Sequence, residues 1–134
     1  MPDSVSIILP TYNEAASIGD LLRYLQATAG EPAPELLVVD GGSTDATVAQ
    51  ARQAGATVLR SPRKGRAAQL NYGAQQAQGT ILYFLHADSY PPPGFLADLR
   101  QAVAQVGEEM GRRVGVGVEK VKYLALGLLS AVVE

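Results

Sequence analysis

VSIILPTYNEAASIGDLLRYL, residues 5–25, changes its periodicity halfway, and that change decides the class of fold. Val5 to Leu9 is an almost continuously apolar run of strand length, rich in β-branched side chains. Ile18, Leu21, Leu22 and Leu25 then fall at i, i+3, i+4 and i+7, one face of a helix, with Asn13 upstream as a capping side chain. An apolar strand answered by an amphipathic helix is the first half of a β-α-β unit.

The same alternation recurs along the chain. Leu36–Val39, Ala56–Leu59 and Ile81–Leu85 are further apolar runs, and runs this continuous fit strands covered on both faces of a parallel sheet. A second helix closes with Val48, Ala51, Arg52 and Gly55, with Ser43 or Thr44 as its cap. Ala67, Leu70, Ala74 and Ala77 mark a third, stopped by Gly79, and a fourth spans about Phe95 to Val106. The order β-α-β-α-β-α-β-α predicts an α/β domain with right-handed crossovers.

Composition narrows the function classes. The 134 residues, 47% apolar, suffice for one domain with a real core. A formal charge of −2 gives no overall field for nucleic acid or an anionic membrane. The absence of cysteine excludes disulfides and thiolate metal sites, and fits a reducing, cytoplasmic setting. MPDSVSIILP, residues 1–10, lacks the features of a signal peptide.

In open α/β sheets, ligands sit beyond the carboxyl ends of the strands, where the strand order reverses. The segments expected there are all polar and unusual. They are Pro10-Thr11-Tyr12-Asn13-Glu14, Asp40-Gly41-Gly42-Ser43-Thr44-Asp45, the basic loop with Arg60, Arg63, Lys64 and Arg66, and His86-Ala87-Asp88 ahead of Pro91, Pro92 and Pro93. Glycines and hydroxyls opening a helix favour an anion, and so does a cation cluster beside a helix start. Each segment also has a plain reading, as a tight turn or as solvated surface charge. Neither the dinucleotide fingerprint nor a Walker A lysine loop is present. Asp88, at a strand end and followed by rigid prolines, is one carboxylate of the kind that magnesium uses together with substrate phosphates. Strand alternation would set His86 on the same face.

Taken in order, SIILPTYNEAASI, LLVVDGGSTDAT, KGRAAQLNYGAQQAQG and ILYFLHADS resemble the family 2 glycosyltransferases, over residues 4 to about 100. The FLHADS-plus-prolines form most resembles a bacterial subgroup associated with arsenosugar biosynthesis. The resemblance implies a GT-A fold, a Rossmann-like sheet ordered 3-2-1-4 in the donor-binding half. It also implies sugar transfer from a nucleotide diphosphate donor such as a UDP-sugar, usually with inversion and with Mn2+ or Mg2+. It assigns Pro10, Thr11, Tyr12 and Glu14 to the nucleotide pocket, with Gly41 in the turn beside it. Asp40 would accept a hydrogen bond from the base, Arg66 would lie near base or phosphate, and Asp88 would meet the metal, as the last carboxylate of the family's D-x-D. His86 stands where that motif has its first Asp; it can still bond a ribose hydroxyl, without adding negative charge.

The resemblance also implies a second half, carrying the acceptor site and a catalytic base, that has no counterpart here. Residues 1–106 therefore read as the nucleotide-sugar domain and 107–134 as an atypical apolar tail. Glu108 and Glu109 are the early candidates for a base, but a solvated helix end accounts for them better. Tyr123 to Val133 is too short to span a bilayer and reads as a packed helix, while Val114 to Val118 has the pattern of a weak strand. With the later strands missing, the fourth strand would present a bare apolar edge, so a homodimer through that edge is expected. The rival classes are a non-catalytic nucleotide-sugar binder, or enzyme fragment, and a nucleotidyltransferase. The last would need a lysine-rich glycine loop where this chain has PTYNE.

Overall fold

β1 (Val5–Thr11) is buried along its whole length, as its continuous apolarity requires of a central parallel strand. The computed structural model describes residues 4–114, 121–125 and 129–133, with side-chain surroundings over residues 4–105. After β1 come α1 (Ile18–Thr28), β2 (Glu35–Asp40), α2 (Thr47–Gln53), β3 (Thr57–Arg60), α3 (Arg66–Gln76), β4 (Ile81–Phe84), α4 (Phe95–Val114), β5 (Val121–Ala125) and β6 (Leu129–Val133). They form one sheet in the order β3-β2-β1-β4-β5-β6. All neighbours are parallel except the last pair, β5 and β6. The expected 3-2-1-4 core is therefore present, and chain order reverses between β1 and β4.

Alternation along β1 supplies both faces. Val5, Ile7 and Leu9 join Ile18, Leu21, Leu22 and Leu25 of α1, Ala51 of α2 and Phe95, Leu96 and Val103 around α4. Ile8 turns the other way and packs with Leu37, Val39 and Leu82 under Leu70 and Ala74 of α3. Each large side chain buried this fully contributes about 1.5–3 kcal/mol relative to exposure. α3 approaches so closely that a Cβ on Gly73 would lie 2.6 Å from Ile8 Cγ2, and only glycine fits there.

Several expectations are corrected. Asn13 does not cap α1: it sits at φ 54, outside the helix, and the position before α1 is Ser17, with no capping side-chain bond. Ser43 and Thr44 do not cap α2 either; the backbone N–H of Thr47 donates to Asp45 Oδ1 at 3.0 Å instead. On α3 the fully buried positions are Gln69 and Gly73, not the alanines. The fourth helix continues past residue 106 to Val114.

Tyr123 to Val133 is not a helix, because β5 and β6 lie there. β5 pairs with β4 through Ile81 with Tyr123, Leu82 with Leu124 and Tyr83 with Ala125. The edge of β4 is thus occupied within the chain, and the bare edge behind the expected homodimer does not exist. The weak strand expected from Val114 is corrected at its first residue, which ends α4, and residues 115–118 lie outside the described residues. Among the described residues, no helix is long and apolar enough to cross a membrane.

Candidate functional site

The carboxyl ends of β1 and β2 are joined by one buried carboxylate. Asp40, the last residue of β2, is 1% exposed. Its Oδ1 accepts from Thr11 Oγ1 at 2.9 Å and Ser43 Oγ at 2.6 Å. Its Oδ2 accepts from the backbone N–H groups of Gly42 at 2.9 Å and Ser43 at 2.8 Å. Four bonds use the four acceptor positions of a carboxylate. Burial pushes this carboxyl up, but the bonds from Ser43, Thr11 and Gly42 outweigh it and hold the group below its ordinary value of 3.8.

The loop after β1 is tied to the same turn. The N–H of Asn13 donates to Ser43 Oγ at 2.8 Å, and Asn13 Oδ1 accepts from the N–H of Thr44 at 2.8 Å. The N–H of Glu14 donates to Thr47 Oγ1 at 2.8 Å. Asp45 accepts from the Thr47 hydroxyl and, at 3.3 Å, from the N–H of Ala15. The Thr47 hydroxyl is the main reason its carboxyl lies below the ordinary value.

Gln69, which the sequence reading passed over, closes this unit from the opposite face. Its Nε2 donates to the carbonyls of Thr11 and Val39, each at 2.9 Å. A Cβ on Gly41 would come within 3.0 Å of the Gln69 amide, so Gly41 makes room for this staple. The available signal was an amide four residues before Gly73, on the helix face where apolar side chains belong. Thr11 and Pro10 are buried in this frame, whereas Tyr12 is 58% exposed at its rim.

The end of β4 is built differently. The strand stops at Phe84, and a turn follows in which the N–H of Ser89 donates to the His86 carbonyl at 3.0 Å. The expected strand alternation is therefore corrected. His86 and Asp88 are both exposed because Ala87, buried between them, anchors the turn in the core. The prolines run back over α1, where Tyr24 Oη donates to the Pro91 carbonyl at 2.5 Å and the Tyr24 and Tyr90 rings meet edge to face. The triple proline thus braces the loop that carries His86 and Asp88.

Arg66, the first residue of α3, meets His86 across the switch point, with Nη1 3.0 Å from Nδ1. Arg60, Arg63, Lys64 and Arg66 are all exposed. Arg23 pairs with Asp20 on α1, and among the described residues no carboxylate pairs with the basic loop. Among the described residues no cluster of three or more His, Cys, Asp or Glu could hold a metal unaided. Asp88 accepts no hydrogen bond in the described structure, and it is a hard oxygen donor. It suits a divalent cation whose other ligands come from phosphate and water. Pro10, Thr11, Arg66, His86 and Asp88 thus share one end of the sheet; Tyr12 and Glu14 border it, and Asp40 and Gly41 lie beneath.

Comparison with known proteins agrees with this fold. The family model described as Glycosyl transferase family 2 matches residues 6–126. The chain is 34% identical over 119 residues to undecaprenyl-phosphate 4-deoxy-4-formamido-L-arabinose transferase of Pseudomonas aeruginosa, covering 81% of this chain and 35% of that protein. It is 34% identical to the glycosyltransferase AglE of Haloferax volcanii, over 86% of this chain and 39% of that one. Among solved structures it resembles glucosyl-3-phosphoglycerate synthase from Mycobacterium tuberculosis in complex with Mn2+, UDP and glucosyl-3-phosphoglycerate. There the TM-score is 0.63 at 29% identity, covering 71% of this chain and 37% of that chain. The chain spans about a third of the length of these relatives.

Proposed function

The chain belongs to glycosyl transferase family 2, and from that premise we propose that it binds the nucleoside diphosphate of a sugar donor at the carboxyl ends of β1 and β4. The observation that carries this reading is the meeting of Arg66 with His86 beside exposed Asp88 and an unneutralised basic loop. A diphosphate is the ligand that answers both signs, its charge meeting the arginines and its metal meeting the carboxylate. UDP is the first candidate, since the similar synthase was crystallised with Mn2+ and UDP.

In this reading Pro10, Thr11, Tyr12 and Glu14 border the nucleoside, and Arg66 meets its phosphates. Asp88 would hold Mn2+ or Mg2+, which when bound neutralises the diphosphate as it leaves. Asp40 is reassigned from the base to the turn, because its own chain already uses its acceptor positions. In an inverting transfer, the acceptor hydroxyl attacks the anomeric carbon opposite the diphosphate. A base takes its proton, and the nucleoside diphosphate departs with the bonding electrons. No residue here is assigned as that base; Glu108 and Glu109 lie on α4, outside the residues whose side chains are described. The FLHADS-plus-prolines turn keeps the subgroup associated with arsenosugar biosynthesis as the first source of acceptors to try.

Calorimetric titration with UDP, GDP, ADP and CDP, each with and without Mn2+, tests the reading. One diphosphate should bind far more tightly than inorganic phosphate, and more tightly still with the metal. Binding no better than phosphate for all four would overturn it.

A further inference from the structure

We infer that the side-chain amide of Gln69 reads the base of the nucleotide, its Oε1 accepting from the N3–H of a uracil. The inference rests on the nucleotide-binding reading above. It gives to a neutral amide the task that Asp40, with its acceptor positions full, cannot perform. Gln69 is 6% exposed, and its Nε2 donates to the carbonyls of Thr11 and Val39. Both hydrogens of the amide are thereby committed. A reversed amide would set its oxygen against the same two carbonyls, so the orientation is fixed.

An oxygen this enclosed calls for a donor, and the backbone of the neighbouring turn has none left to give. The N–H of Gly41 goes to the Thr11 carbonyl at 2.9 Å, those of Gly42 and Ser43 go to Asp40, and that of Thr44 goes to Asn13. No described residue bonds to Gln69 Oε1. Yet no side-chain oxygen or nitrogen among the described residues is both sealed from solvent and unpartnered, so Oε1 is open to a donor from outside. The way in passes Gly41, half-buried just beyond β2, where a Cβ would stand 3.1 Å from Oε1. Glycine there keeps the oxygen uncovered.

Position and chemistry then select the ligand. Gln69 lies one turn along α3 from Arg66 and on the same helix face, buried where Arg66 is exposed. The acceptor therefore sits deeper at the sheet's end than the cation assigned to the phosphates. A fixed neutral acceptor recognises an N–H. The imide of uracil presents one between two carbonyl oxygens, and Arg60, in register with Asp40, and Lys64 are exposed donors of the kind those oxygens take.

Titration of UDP and of N3-methyl-UDP into the wild type and Gln69→Met, with Mn2+ throughout, tests the inference. The wild type should bind UDP at least about tenfold more tightly than the methylated analogue, which has no N3–H to donate. In Gln69→Met, which keeps the length and loses the amide, the two ligands should bind within about threefold of each other, even where both are weakened. An amide that only staples β1 to β2 would weaken both alike and leave their ratio unchanged. If that variant does not fold, the wild type decides alone. With ¹³C-labelled glutamine, the Cδ resonance of Gln69 should move downfield on saturation with UDP and not with N3-methyl-UDP. Equal affinity for the two ligands in the wild type, the same ratio in both proteins, a Cδ resonance that UDP leaves in place, or tighter binding of GDP, ADP or CDP than of UDP would each overturn the inference while nucleotide binding stands. If no nucleoside diphosphate binds, the functional reading fails and this inference with it.

Discussion

Two aspartates, Asp40 and Asp88, stand in the polar segments at the carboxyl end of this sheet, and the chain uses them in opposite ways. Asp40 is buried and accepts four hydrogen bonds from Thr11, Gly42 and Ser43. Asp88 stands exposed on a turn whose middle residue, Ala87, is plugged into the core. In one region the backbone is organised around the carboxylate. In the other it is organised so that the carboxylate can be left alone. A buried charge must be satisfied by its own chain, whereas an exposed one with no partner is available to a ligand. Counting bonds, rather than matching motif letters, separates scaffold from site.

The largest expected effect breaks the scaffold side. Asp40→Ala strips acceptors from the Gly42 and Ser43 N–H groups and from two hydroxyls, and should cost at least about 3 kcal/mol of stability. Urea denaturation would show it as a lowered midpoint, with every nucleotide weakened together through the collapsed turn. Loss confined to uridine nucleotides, with an unchanged midpoint, would return Asp40 to base recognition and erase the contrast.

A smaller effect sharpens the same side. Because the folded chain holds the Asp40 carboxyl below 3.8, it releases its proton more readily than in the unfolded chain. Its contribution is fully present above the unfolded value and is lost as pH falls below about 4 and through the folded value. Stability of the wild type should therefore drop more steeply with acid than that of Asp40→Asn. Parallel profiles for the two proteins would contradict the assignment.

These differences explain what the sequence could and could not reveal. The alternation of strands and helices was legible because β1, β2 and β4 are apolar runs of strand length and α1 carries a clean helical stripe, whereas the 3-2-1-4 order came from the resemblance to the family. Asp88 was legible as a carboxylate beyond the fourth apolar run with prolines behind it, although the strand stops at Phe84 and a turn carries it. The bonds of Asp40 were legible only as the plain reading of a tight turn, because its donors come from the end of β1 and the turn after β2, which tertiary packing brings together. Gln69 was hidden for a related reason: a buried amide is worth its position only when two carbonyls, those of Thr11 and Val39, are brought to it. β5 and β6 were missed since VKYLA and LSAVV carry no clean alternation, and a short apolar run fits a helix as well as a strand. Pairing with β4 decides that ambiguity for β5, and it is a long-range event.

The most direct test of the central claim is calorimetry of UDP binding to the wild type and Asp88→Asn, each with and without Mn2+, beside a thermal melt of both proteins. With Asp88 available to the ligand and unused by the fold, the variant should melt within about 0.5 kcal/mol of the wild type. It should bind metal-free UDP at least as well, and should lose the enhancement that Mn2+ gives. Equal enhancement by Mn2+ in both proteins, or a variant destabilised as severely as Asp40→Ala, would contradict the account.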